Sequence, residues 1–432
     1  MSRRTCELLA LGVWSAAAWG ASPAASPSDD SAWTLGLSGE ARERFESSRD
    51  PVFGLSPAGD DDYLLHRFLL TADARNINGF RAQVQIVGGL TSGWEGEPPP
   101  TQDDSVDVLQ AFIEQSFRAG EGDLLVRAGR QELSLGSSRL ISVRESPNIR
   151  RAFDGVRASW SLHTGARVDA FALRPVSPER DGFNDTSGSA QSFWGLYGTA
   201  DVPRIEGLKA DLYYLGLRRE DAVFTQGRAT EMRHSVGFRL FGERGRVDWN
   251  FEGVWQWGSF GDARIRAWTL SADLGYRWAD VPLRPRFGIK LDAISGDRNP
   301  ADRRLETFNP LFPKLPYFSE ANVATPANLL DVQPSFTFDV AREVTLSLSW
   351  NVLWKQQRAD AFYAPPLSPV QGTADSAGRA IGTQTSLNLD WKISKRLGLG
   401  AAYVHFDPRE VTRDAGGRGG SFFAIWMQMQ TD

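Results

Sequence analysis

With 432 residues, 41% of them hydrophobic and 23% charged, the chain is long enough for several domains, yet no linker-like shift of composition divides it and one domain is expected. A formal charge of −5, with no basic run interleaved with aromatics, excludes a nucleic-acid-binding role, and the lack of any stretch of about 18 apolar residues excludes helical membrane spans. A closed β-barrel passes both tests, because its strands alternate lipid-facing and lumen-facing residues and so keep an ordinary average hydropathy.

The N-terminal segment reads as a secretory signal. Arg3 and Arg4 supply the charge, residues 8–13 the apolar run, and residues 16–21 the small side chains near a cut expected between 18 and 25. Residues 1–21 are accordingly assigned to a signal peptide, 22–32 to a Pro/Ser/Asp spacer and 33–432 to the fold itself. Cys6, the only cysteine, falls in the removed part, which leaves the mature chain without disulfide or thiol chemistry, as suits an exported barrel.

From Trp33 onward one phrase repeats about nine times: a strand of roughly ten residues, a short connector, a second strand, then a long polar loop. The expected strands are 33–45, 63–75, 80–89, 106–117, 123–133, 154–162, 166–174, 193–202, 208–218, 233–242, 247–258, 265–278, 284–294, 329–340, 344–354, 381–393, 397–406 and 421–430, about eighteen. Their period is two. Val247, Trp249, Phe251, Gly253, Trp255 and Trp257 alternate with Asp248, Asn250, Glu252 and Gln256, a pattern that a helix would scatter round its surface. Short connectors at 76–79, 118–122, 163–165, 203–207, 243–246, 279–283, 341–343 and 394–396 alternate with long ones at 46–62, 90–105, 134–153, 175–192, 219–232, 295–328, 355–380 and 407–420, with 259–264 a weak long one. Tight turns on one side and extended loops on the other are what an up-and-down barrel in an asymmetric membrane needs. The fold expected is all-β: a single closed antiparallel transmembrane barrel of about 18 strands, with short periplasmic turns and long extracellular loops. Both chain ends then fall on the periplasmic side, and the lumen is wide enough for an aqueous channel.

Tryptophan is abundant at 15 residues, and Trp33, Trp160, Trp194, Trp257, Trp278, Trp350, Trp354, Trp391 and Trp426 stand near strand ends, as interfacial girdles require. If the apolar set faces lipid, the opposite set lines the lumen. By that parity Arg67, Arg75, Arg81, Arg127, Arg157 and Arg167 face inward on the early strands, and Arg239, Arg286 and Lys290 on later ones. Arg130, Arg139, Arg144, Arg150 and Arg151 stand at or just past a strand end, where a loop can fold in. Acidic residues are interleaved: Asp73, Glu114, Asp169, Asp211, Asp248, Glu252, Asp273 and Asp292. Two readings stay open. Guanidinium groups hold carboxylates bidentately and favour acidic solutes, whereas an Arg–carboxylate ladder merely stiffens the wall. On the first reading, charge reversal at Arg127 or Arg157 shifts ion selectivity.

No catalytic constellation stands out. His66, His163, His234 and His405 are scattered without metal-ligand spacing, and no nucleophile elbow or phosphate-binding loop is present. No cofactor, no metal and no enzyme activity are expected. The acidic stretches 60–62 and 102–104 offer oxygen ligands for calcium, but read more simply as solvated loops.

The run GRQELSLGSSRLISVRESPNIRRAFDGVRASW at 129–160, with FNPLFPKLPYFSEANVATPANLLDVQPSFTFDV at 308–340, resembles the alginate export porin family nearly end to end. The pieces that carry the resemblance are 129–131 closing one strand, Arg139 in the loop, Arg151 with Asp154 and Gly155 opening the next, and Asn309, Pro310, Phe312, Pro313 and Tyr317 in the longest loop. The resemblance implies an outer-membrane barrel that passes an anionic polysaccharide through an arginine-lined constriction narrowed by loops. It assigns Arg67, Arg75, Arg127, Arg130 and Arg157 to that constriction, with Asp73 and Asp169 as counter-charges. One departure is the C-terminus, which runs Met427 to Asp432 and lacks the final aromatic that such barrels often carry.

The function expected is therefore an integral bacterial outer-membrane channel for an alginate-like, uronate-rich polysaccharide, lined by Arg67, Asp73, Arg75, Arg81, Arg127, Arg130, Arg157, Arg167, Asp169, Arg239, Arg286 and Lys290. Its partners are membrane lipid, the polysaccharide or oligosaccharide, and periplasmic export machinery; no nucleic acid is expected, and the barrel is expected to act as a monomer. The alternative within transport is a general anion or oligosaccharide uptake porin. Outside transport, a barrel-borne hydrolase lacks a nucleophile and base, and an adhesion scaffold would rest on the aromatic stretch 308–318.

Overall fold

The computed structural model describes residues 33–431; the expected signal peptide and spacer lie outside the described residues. Eighteen long strands close into one antiparallel barrel. They are β1 (Trp33–Arg49), β2 (Asp61–Asn76), β3 (Phe80–Ser92), β4 (Asp104–Ala119), β5 (Gly122–Gln131), β6 (Phe153–Leu162), β7 (Arg167–Pro175), β8 (Gln191–Asp201) and β9 (Leu208–Phe224). The circuit continues through β10 (Gly227–Arg244), β11 (Val247–Phe260), β12 (Ala263–Arg277), β13 (Arg286–Ile294), β14 (Leu329–Ala341), β15 (Val344–Lys355), β16 (Ala380–Lys392), β17 (Leu397–Pro408) and β18 (Gly420–Gln430). Each strand pairs with its sequence neighbour, and β18 pairs back onto β1 from Glu40↔Gln430 to Arg49↔Ser421, so the circuit of strands closes on itself. Two-residue strands at Arg304–Leu305, Tyr363–Ala364 and Ser368–Pro369, and one short helix, α1 (Glu410–Asp414), decorate the loops.

Parity of the side chains follows directly from closure. Leu35, Leu37, Ile113, Leu196, Leu212, Phe238 and Leu270 project outward as exposed apolar groups, while their neighbours Arg67, Glu114, Asp169, Asp211, Arg233 and Asp292 are buried inside. Burial of charge inside with grease outside is the reverse of a soluble core, and lipid is the solvent that makes it stable. Trp33, Trp160, Trp278 and Trp391 stand exposed near the short-turn end, and Trp257 toward the other. Trp426 departs from the expected girdle: it shares the inward parity of Phe422 and Ala424, and the Arg44 guanidinium stacks over its ring at 4.7 Å.

Two expected loops turn out to be strand. β9 runs to Phe224 and β10 starts at Gly227, so the segment 219–232 is a hairpin that keeps pairing through Arg228↔Val223; likewise β11 and β12 meet across 261–262. Charged residues at 219–221 read as loop in sequence, but Ala222 and Phe224 anchor the hairpin tips against Phe260, Ile265, Tyr363 and Leu367. Tertiary packing outweighs local polarity there.

Candidate functional site

The lumen is narrowed by two loops from the long-loop end, 132–152 and 295–328, which fold inward and meet. Ile141 and Phe312 form a bridge; the Phe312 N–H donates to the Leu140 carbonyl at 2.9 Å and the Lys314 N–H to the Ser138 carbonyl at 2.9 Å. Phe312 is the apolar keystone, its ring 5.2 Å from Phe153 and 4.9 Å from Phe193. Around it Leu140, Ile141, Phe308, Tyr317 and Phe318 build a core inside the barrel.

A glycine pair launches the first loop. Gly129 and Gly155 face each other across β5 and β6 at φ values of 126° and 147°, and a Cβ at either would lie 2.2 Å from the carbonyl oxygen of Ala111 or Ala172. Only glycine fits both constraints. That is the physical content of the 129–131 and 154–155 pieces that carried the family resemblance.

Wall side chains grip the loops. Arg42 donates to the carbonyls of Glu145 at 2.7 Å and Ser146 at 3.1 Å; Arg67 reaches the Glu145 carboxylate; Arg44 pairs with Glu320 at 2.9 Å. On the far wall Arg139 bonds Asp292 at 2.9 Å and lies 3.4 Å from Glu252, and the Tyr213 hydroxyl donates to Glu252 at 2.7 Å. Lys290 donates to the Tyr317 carbonyl at 3.1 Å.

The arginines singled out from strand parity project into the lumen, and each meets a carboxylate. Arg67 pairs with Glu40 at 2.7 Å, Arg75 and Arg81 with Asp73 at 2.5 and 2.6 Å, and Arg127 with Glu114 at 2.7 Å. Arg157 and Arg167 share Asp169 at 2.8 and 2.9 Å. Arg239 pairs with Asp211 at 3.1 Å, Arg286 with Asp248 at 2.8 Å, and Lys290 with Asp292 at 3.4 Å. These residues form a compensated ladder, whereas Arg42 on β1 meets only loop carbonyls and Asn148. Arg130 occupies a different place: it stands on the opposite parity to Arg127, donating to the Val108 and Asp185 carbonyls, both at 3.0 Å, and to the Asp154 carboxylate at 2.9 Å, so it seals the rim of β4 rather than lining the lumen.

The loops carry a different balance. Arg139 and Arg150 are paired, the latter with Glu132 at 2.8 Å, but Arg144, Arg151 and Lys314 have no carboxylate within ion-pair reach among the described residues. The Arg144 Nε has only the Pro313 carbonyl at 3.4 Å; Arg151 stacks over the Phe312 ring at 4.9 Å with its Nη1 buried and unbonded. All three flank the junction of the two loops. Arg144 also holds φ at 58°, a left-handed backbone that costs a bulky residue about 1 kcal/mol and marks places where side-chain direction outweighs local comfort. Burial pushes the Arg144 guanidinium down to about 10, and burial together with Arg144 itself holds Arg151 well below its ordinary value. Burial, helped by Lys290 and Arg139, pushes Lys314 down to about 8. Cations crowded together without counter-charge favour an anionic solute at that point.

Arg144 and Arg151 were visible in the sequence as loop cations, but nothing in strand parity distinguished them; Lys314 carried no signal beyond its place in the second family run. The four histidines stay apart, His66 beside Glu43 at 2.5 Å and His234 stacked on Tyr214 and Trp257.

The model of the alginate export family matches residues 34–424. No curated protein matches the chain. Among solved structures, the barrel superposes on Pseudomonas aeruginosa OpdQ at 12% identity, covering 92% of this chain and 98% of that one, with a TM-score of 0.62. It superposes likewise on Acinetobacter baumannii OccAB3 at 11% identity, 92% and 99% coverage and a TM-score of 0.62. A third is Pseudomonas aeruginosa OccK2 (OpdF) in complex with glucuronate, at 13% identity, 92% and 96% coverage and a TM-score of 0.57. At such identities the likeness establishes the fold.

Proposed function

Because the chain belongs to the alginate export family and is an integral channel of the bacterial outer membrane, we propose that it passes an anionic, uronate-rich polysaccharide, with its carboxylates engaged at the junction of loops 132–152 and 295–328. The observation that carries this reading is the trio Arg144, Arg151 and Lys314, which among the described residues has no carboxylate within ion-pair reach. A polymer presenting one carboxylate per sugar meets such a point repeatedly as it moves, so each contact must be weak enough to release. The paired residues Arg67, Asp73, Arg75, Arg81, Arg127, Arg157, Arg167, Asp169, Arg239, Arg286 and Lys290 then act as a hydrated, exchangeable rail on either side of it. Arg130 holds the rim.

A second reading, uptake of small uronates or other carboxylates, draws support from the glucuronate in OccK2 and from the two loops that close down the lumen. Single-channel current with uronate oligomers of increasing length added to either side separates the two. Block that deepens with chain length supports the polymer; glucuronate as effective as a long oligomer supports small-solute uptake. Equal block by neutral oligosaccharides of the same length would overturn both.

A further inference from the structure

At the long-loop end of β4 the ladder to β5 stops at Ala111↔Arg130, so residues 104–110 lack a strand partner on that side. Loop 176–190 fills the gap. The Phe183 N–H donates to the Val106 carbonyl at 3.0 Å, and the N–H groups of Asn184 and Asp185 donate to Asp107 Oδ2 at 2.8 and 3.0 Å. This docking gathers Asp104, Asp107 and Asp185, each with a carboxylate oxygen, all within 4.8 Å of one another. Asp104 is only 1% exposed, and neither of its oxygens has a hydrogen-bond partner. The side-chain oxygen of neighbouring Asn184 is also buried without a partner.

Such a cluster is far from neutral. Among the described residues Arg130 is the one cation in ion-pair reach of it, 3.8 Å from Asp107, and it is shared with Asp154 at 2.9 Å. Burial and the charge of Asp107 push the Asp185 carboxyl up to about 6, against the pull of its backbone hydrogen bond from Glu179. A buried carboxylate with no donor is among the costliest arrangements a protein can keep, and its usual resolution is a proton or a metal ion.

We propose that Asp104, Asp107 and Asp185 form a site for a divalent cation of the calcium class, which pins loop 176–190 to the open edge of β4. Calcium takes oxygen ligands at about 2.3–2.6 Å, so oxygens sharing one ion stand up to about 5 Å apart, which the 4.8 Å spread satisfies. Magnesium, at about 2.0–2.1 Å and near-ideal octahedral geometry, needs a tighter set. Of the acidic stretches the sequence offered for calcium, 102–104 contributes its last residue, Asp104, and the other two ligands are Asp107 on the same strand and Asp185 from a loop much later in the chain.

Calcium is titrated calorimetrically into the full-length barrel in detergent after chelator treatment, beside Asp104→Asn and Asp185→Asn. Wild type is expected to bind one ion per chain, each variant at least tenfold more weakly, with magnesium at least tenfold weaker on wild type. Calcium should also slow proteolysis after Arg180 in wild type and not in the variants. Asn at 104 relieves repulsion, so the variants remain folded and their melting temperature no longer responds to calcium. Absence of saturable binding to wild type, or binding that survives both substitutions, overturns the site; magnesium binding as tight as calcium overturns the class.

Discussion

The strands and the inward loops both carry arginine into the lumen, but they handle its charge in opposite ways. On the wall every residue has cross-strand neighbours about 5 Å away on the same face, so a carboxylate can be placed beside a guanidinium, as Glu114 is for Arg127 and Asp169 for Arg157 and Arg167, and Arg42, gripping loop carbonyls, is the exception among them. The loops have no such register. Arg139 finds Asp292 on the wall, yet Arg144, Arg151 and Lys314 have no carboxylate in ion-pair reach among the described residues. The lesson is that the number of arginines in a barrel measures its ladder, whereas the field felt by a passing ion comes from the few charges the ladder leaves over.

The sharpest way to break that contrast is to neutralise the loop trio together. Arg144→Gln, Arg151→Gln and Lys314→Gln in one chain are expected to abolish anion preference, bringing reversal potentials across a salt gradient to the cation side or to zero. Persistence of the full preference would move the selectivity back to the wall. A smaller effect is expected from Arg127→Gln, which leaves Glu114 with only the longer Arg81 contact at 3.9 Å: a loss of about 1–3 kcal/mol in unfolding free energy and a partial fall in anion preference, both restored when Glu114→Gln is added. A wall single variant that matched the loop triple would erase the distinction. The smallest effect is the pH response. Lys314 is charged below about 8 and neutral above it, so anion preference should decline modestly between pH 7 and 9, and Lys314→Arg should flatten the decline.

Much of this architecture is legible in the sequence because its solvent boundary imposes a period of two on every strand. The sequence alone assigns Arg67, Arg81, Arg127, Arg157, Arg239 and Arg286 a face, since parity is a local property. What parity leaves out is the partner. Arg286 reaches Asp248 two strands away in the circuit, and only the register shows it. Arg130 stands three residues from Arg127 and so on the opposite face, and the Val108 and Asp185 carbonyls that hold it at the rim come from other parts of the chain. The hairpin tips at 219–232 failed for a different reason: their charges look solvated, and the loop residues that cover them, Tyr363 and Leu367, come from far along the chain. Trp426 shows the same limit, an interfacial residue type turned inward beneath Arg44.

The clasp between the loops has a mechanical consequence. Phe312 hangs from Leu140 and Lys314 from Ser138 through backbone bonds, while Arg42 and Arg139 tie the same loop to opposite sides of the cylinder. Neither arm can swing outward alone, so widening the aperture displaces both at once, as one shared bolt rather than two separate shutters.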